Sequence, residues 1–131
     1  MIKTTLITTS TRTTPDLVYT SSTTGETIGG PVTGQQTAVT TIALCNFTAQ
    51  NPANESAGAV TVNIYLAKSG IGFKNYPADP TTNLIVSELI IPAGETVFFN
   101  DERIVLDSGD QIFVGTNVAN TLAVTVSALI V

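Results

Sequence analysis

The chain has 131 residues, enough for one domain whose single core buries roughly two-thirds of the surface an unfolded chain would expose. Its apolar share of 43% is ordinary, but charged residues make up only 11%, and roughly one residue in six is threonine, so polarity here comes from hydroxyls. The ten acids and five bases (net charge −5) form no run of either sign, which leaves nucleic acid without an electrostatic footprint to bind.

No segment approaches the ~18 apolar residues of a membrane-spanning helix, and the Met1–Ile7 start lacks the apolar run of a secretory signal. The chain is expected to be made and kept in a cytoplasm, and the single Cys45, unable to form an intrachain disulfide, fits a reducing compartment. Threonine and valine are branched at Cβ and sit comfortably on a pleated surface, so this composition leans to strands and leaves helix little part.

In chain order, residues 1–15 carry many hydroxyls and a weak alternation. They predict a short strand over Ile2–Thr8 and then an extended tether to Pro15, either an arm that leaves the domain or an ordinary edge strand. Residues 16–131 are expected to form the β-sandwich domain itself. Asp16–Thr20 is a brief strand with Leu17 and Tyr19 on one side, and Ser21–Gly34, rich in Ser, Thr and Gly, is expected to be a long surface loop.

Thr37–Phe47 alternates so as to place Ile42 and Leu44 on one face and Val39, Ala43, Cys45 and Phe47 on the other, as a central strand covered on both sides would. After an Asn51–Gly58 turn, Ala59–Ala67 has the cleanest period of two: Val60, Val62, Ile64 and Leu66 face the core, Thr61, Asn63 and Tyr65 face away. Lys68–Pro80 is a loop with two aromatics, Phe73 and Tyr76, and is the most plausible contact loop.

Four short strands follow, over Asn83–Ile91, Glu95–Asn100, Arg103–Leu106 and Asp110–Thr116. The last, Thr121–Val131, turns Leu122, Val124, Val126, Ala128 and Ile130 to one face and Ala123, Thr125, Ser127 and Leu129 to the other. About eight or nine strands punctuated by turns predict an all-β, two-sheet antiparallel sandwich of jelly-roll or immunoglobulin-like type with an extended N-terminal arm; a closed barrel is the alternative.

Candidate chemistry is sparse. Without histidine no Ser-His-Asp or Cys-His triad can be assembled, and Cys45 lies within a strand with no neighbour that would activate a thiol, so no enzyme is expected. Asp101, Glu102, Asp107 and Asp110 invite a calcium or glycosidase reading, but their spacing fits no calcium loop, and Asp-Ser-Gly-Asp suits a tight turn. No cofactor or metal is expected. Asn46-Phe47-Thr48 and Asn54-Glu55-Ser56 match the glycosylation pattern, by accident in a chain without a secretory signal. Sugar recognition through Tyr19, Tyr65, Phe73 or Tyr76 is the competing binding role, in a chain without tryptophan.

Several motifs occur in a suggestive order: Val18-Tyr19-Thr20, Thr41-Ile42-Ala43-Leu44-Cys45-Asn46, Val60-Thr61-Val62, Ile91-Pro92-Ala93-Gly94-Glu95-Thr96, the run Arg103 to Asp110, and Val124-Thr125-Val126-Ser127. Over nearly the whole chain this order resembles a recurrent type of small virion protein in tailed bacteriophages, especially those of marine bacteria and cyanobacteria. The Ser21–Gly34 and Lys68–Pro80 loops depart from it. Such proteins look like single β-sandwiches that decorate capsids or sit on the neck or tail, with no known catalytic residues to carry over.

The resemblance implies a structural virion protein, made in the host cytoplasm, that decorates and stabilises the capsid through many-copy contacts with the major capsid protein or other virion proteins. A host-receptor or glycan-binding module of a neck, tail or fibre is the alternative. A homo-oligomer, trimer or dimer, is expected, with no nucleic-acid or membrane partner. The candidate interaction surface comprises Ile2, Thr4 and Leu6 of the N-terminal stretch and Phe73 and Tyr76 of the aromatic loop.

Overall fold

A computed structural model describes residues 2–21, 24–27, 30–33, 36–69, 83–100 and 104–130. Among them there is no helix. The strands are β1 (Ile2–Leu6), β2 (Asp16–Thr20), β3 (Thr24–Thr27), β4 (Gly30–Thr33), β5 (Thr37–Asn46), β6 (Val60–Ala67), β7 (Asn83–Ile91), β8 (Thr96–Phe99), β9 (Ile104–Leu106), β10 (Gln111–Thr116) and β11 (Leu122–Ile130).

Two antiparallel sheets carry the fold. The first has the order β1-β11-β5-β8, with β9 pairing a further stretch of β5; the second has the order β2-β10-β6-β7. The pairing is nested: β1 with β11, β2 with β10, β5 with β8 and β9, β6 with β7. Of the two expected sandwich types this is the jelly roll, one long antiparallel hairpin folded over on itself. Ile2–Leu6 is therefore an edge strand of its own first sheet. The span expected to be a loop, Ser21–Gly34, contains the β3–β4 hairpin, paired to itself only.

Period-two alternation puts one side of each long strand between the sheets. Ile42 and Leu44 of β5 and Val124 and Val126 of β11 meet Val60, Val62 and Ile64 of β6 and Ile112 and Val114 of β10, all essentially without solvent contact. Each such side chain stabilises the fold by about 1.5–3 kcal/mol through burial.

Among the described residues four bulges shift this alternation, one of them where Ile85 is left extra between Leu84, opposite Tyr65, and Val86, opposite Ile64. In β5, Thr41 pairs with Ser127 and Val39 with Ala128, which leaves Thr40 as an extra residue whose hydroxyl donates to the Ser127 carbonyl (3.1 Å). Val39 therefore faces the core with Ile42 and Leu44, not away from them as the sequence predicts. In β2 the extra residue is Val18, so Val18 and Tyr19 are both buried and Leu17 is turned outward, correcting the expected pairing of Leu17 with Tyr19. In β7, Ser87 and Glu88 together oppose Asn63, and Glu88 takes the left-handed conformation (φ 56°).

The turns bear out the local chemistry expected of them. In Pro92–Glu95 the Glu95 amide donates to the Pro92 carbonyl (3.2 Å), and Gly94 supplies a φ of 78° that an L side chain rarely adopts. The Asp110 carboxylate is buried in the Asp107–Asp110 turn, accepting the Asp107 amide (3.0 Å) and, from the far side, the Ser69 amide (2.9 Å).

Candidate interaction surface

The outer faces of the two sheets differ. The middle of the second sheet's outer face is covered by the chain's own crossing from β1 to β2, while Leu17 and Ile90 at its edges stay exposed. Asp16 accepts the Thr8 amide (2.6 Å) and hydroxyl (3.0 Å), which fixes where the crossing starts and ends. Its Ser10–Thr14 turn lies on β6 and β10. There the Tyr65 hydroxyl donates to the Arg12 carbonyl (2.8 Å), and the Arg12 guanidinium reaches Glu88 (2.8 Å).

Asn63 completes a ring of contacts, its amide donating to the Tyr65 hydroxyl (3.1 Å) and its carbonyl accepting the Glu88 amide (2.8 Å) at the bulge. Asn63 and Tyr65, expected to face away from the core, do so and are nevertheless buried.

The outer face of the first sheet has no such cover among the described residues. Register defines its rows. The middle row runs Thr4, Thr125, Ala43, Phe98 across β1, β11, β5 and β8; one neighbouring row runs Leu6, Ala123, Cys45, Thr96, and the other Ile2, Ser127, Thr41. Beyond the Thr40 bulge, Leu129, Ala38 and Val105 continue the face. The rows contain no charged and no amide side chain.

Its shape follows from residue size. Across the three rows small side chains of β11 and β5 line the middle, while larger ones stand at the edges, Ile2 (73% exposed) and Leu6 on β1 and Phe98 (60% exposed) on β8; beyond the bulge Leu129 of β11 and Val105 of β9 also project. The described charges lie elsewhere. Arg12, Asp16 and Glu88 belong to the second sheet and its crossing, Glu55, Glu95, Asp107 and Asp110 to turns, Lys68 to the end of β6, and Lys3 to the inward-facing register of β1.

Compared with known proteins, the chain matches no family model, no curated protein and no solved structure. What the surface can do therefore rests on its own geometry. A broad apolar and hydroxyl-bearing sheet face of this kind is suited to contact with another protein.

Of the residues singled out from sequence, Ile2, Thr4 and Leu6 come together as one column along the edge of this face. Phe73 and Tyr76 lie outside the described residues, as do Asp101 and Glu102. Sequence reasoning did not single out Phe98. In Thr96-Val97-Phe98-Phe99 both aromatics are equally apolar, and only the pairing of Ala43 with Phe98 tells which faces outward. Leu129 and Cys45 carried the right signal, an apolar residue on the face opposite the core side chains.

Cavities also open among the described residues. One, of about 420 Å³, lies at an end of the sandwich among Gln50, Pro52, Glu55, Pro92 and Glu95. Another, of about 280 Å³, is an apolar cleft between the sheets lined by Ile64, Leu66, Ile85 and Phe99. Among the described residues no three His, Cys, Asp or Glu side chains are grouped as a metal would need.

Asn46, first residue of one glycosylation match, is wholly buried. Its amide donates to the Gly58 and Ile91 carbonyls (2.8 and 2.9 Å) and its carbonyl accepts the Thr48 amide (3.1 Å), so it is a structural tie.

Proposed function

We propose that this protein is a structural component of a tailed-phage virion, present in many copies and stabilising the capsid by decorating it, with the major capsid protein or other virion proteins as partners. The observation that carries the reading is the outer face of the first sheet, which among the described residues bears no charge and which a protein crowded among its own copies and a shell can bury without leaving an unpaired charge. The jelly roll is compatible with it, because viral capsid domains use this architecture, but so do lectins and enzymes, and that support is analogy alone. The order of motifs along the chain supplies the phage context.

Electron microscopy of the assembled particle tests the reading. Density for this sandwich in many symmetry-related copies on the head is the expected result. Density confined to the neck, tail or fibre overturns decoration in favour of a receptor- or glycan-binding module, and a particle without the chain overturns the virion role altogether.

A further inference from the structure

We infer that the outer face of the first sheet is a two-fold interface between copies of this chain, in which the partner's Phe98 seats over Thr4 in the notch between Ile2 and Leu6. Thr4 and Phe98 are the two ends of one row across four strands. A two-fold axis along the strands, midway between β11 and β5, lays the β8 edge of one copy over the β1 edge of the other and turns this row onto itself in reverse. The projecting ring then meets the low point of the facing edge, flanked by two exposed aliphatic side chains, and the same contact forms twice, as an isologous interface requires.

Three further properties select a second copy as the occupant. The central polar groups, Thr125, Ser127 and Thr41, are hydroxyls, which both donate and accept and can therefore bond to their own symmetry mates. Each chain carries a net charge of −5, and stacking the first sheets directs Arg12, Asp16 and Glu88 outward on both copies, away from the contact. Four strands at ~4.8 Å spacing and about 25 Å length present roughly 500 Å² per copy, or about 1,000 Å² in all, the size at which a specific interface begins.

The inference shares with the proposed function only the reading of this face as an interface, and its test needs no virion. Sedimentation velocity of the purified full chain across a micromolar concentration range is expected to show a monomer–dimer equilibrium. Thr125→Arg places two guanidinium groups against each other beside the axis and is expected to weaken the dimer roughly a hundredfold or more, whereas Thr20→Arg, exposed on β2 of the second sheet, leaves it unchanged.

Phe98→Ser, at an exposed position, is expected to weaken the dimer as well and serves should Thr125→Arg not fold. A short bismaleimide reacting with the native Cys45, on β5 and so directly beside the axis, is expected to give a covalent dimer in the parent and none in Thr125→Arg. A parent that stays monomeric, forms a trimer, or keeps its dimer in both face variants overturns the inference. A monomer that nevertheless decorates heads overturns the two-fold and leaves the virion role standing.

Discussion

A Cβ added at Gly115 would come within 2.5 Å of the Arg12 carbonyl oxygen, the backbone of the turn that covers the second sheet. Gly115→Ala must therefore lift that turn or distort β10, and it is expected to lower stability by about 1–3 kcal/mol, read from the urea midpoint. Asn46→Asp is more severe, because a carboxylate oxygen would face the Gly58 and Ile91 carbonyls where an amide now donates to both. The expected loss is at least about 3 kcal/mol in the same measurement.

Neither role was legible in the sequence. Gly115 stands in an ordinary strand, and the carbonyls that Asn46 binds come from two other segments of the chain. A turn such as Asp107–Asp110 was legible because the two bonds that close it, the Asp110 amide to the Asp107 carbonyl and the Asp107 amide to the Asp110 carboxylate, are made within four residues, whereas its ties to Ser21, Gln36 and Ser69 left no local trace.

Among the elements, long strands with one buried side were readable from alternation, as β6 and β11 are. The faces went astray where a bulge intervened, at Thr40 and at Val18, because one inserted residue reverses every side chain beyond it. A sharp test follows from the register. Removing Thr40 leaves Val39 opposite Ala128 and Thr41 opposite Ser127, so the deletion protein is expected to fold with a stability within about 1–2 kcal/mol of the parent. Removing Ala43 instead reverses one side of the strand and is expected to abolish cooperative unfolding in the same circular-dichroism melt.

The β3–β4 hairpin gave no signal because its ladder is made by backbone alone, in a stretch of Thr, Gly and Pro without apolar alternation. Half of the candidate surface was visible for a related reason. Ile2, Thr4 and Leu6 are alternate residues of one strand, whereas Phe98 joins them only through three successive strand pairings that no local pattern encodes.

At the scale of the molecule, charge is separated from the bare face among the described residues. An association through that face gains nothing from ion pairs, and salt mainly screens the repulsion between two chains of net charge −5. Self-association is accordingly expected to hold or strengthen as salt is raised, and to strengthen further in sulfate, which favours apolar burial; sedimentation across a salt series checks both.

The nested pairing also bears on how the molecule is born. The partner of β1 is β11, so the first strand made must wait for the last, while the innermost pair, β6 with β7, can close much earlier. At roughly 5–20 residues per second this leaves an incomplete sheet on the ribosome for seconds, with Val60, Val62 and Ile64 lacking the β11 side of their core. Nascent chains stalled before Leu122 is released are expected to remain protease-sensitive, and those stalled beyond Ile130 with a spacer long enough to clear the exit tunnel to become resistant. Translation speed over the final strand would then set how long each copy spends open to mispairing with the copies being made beside it.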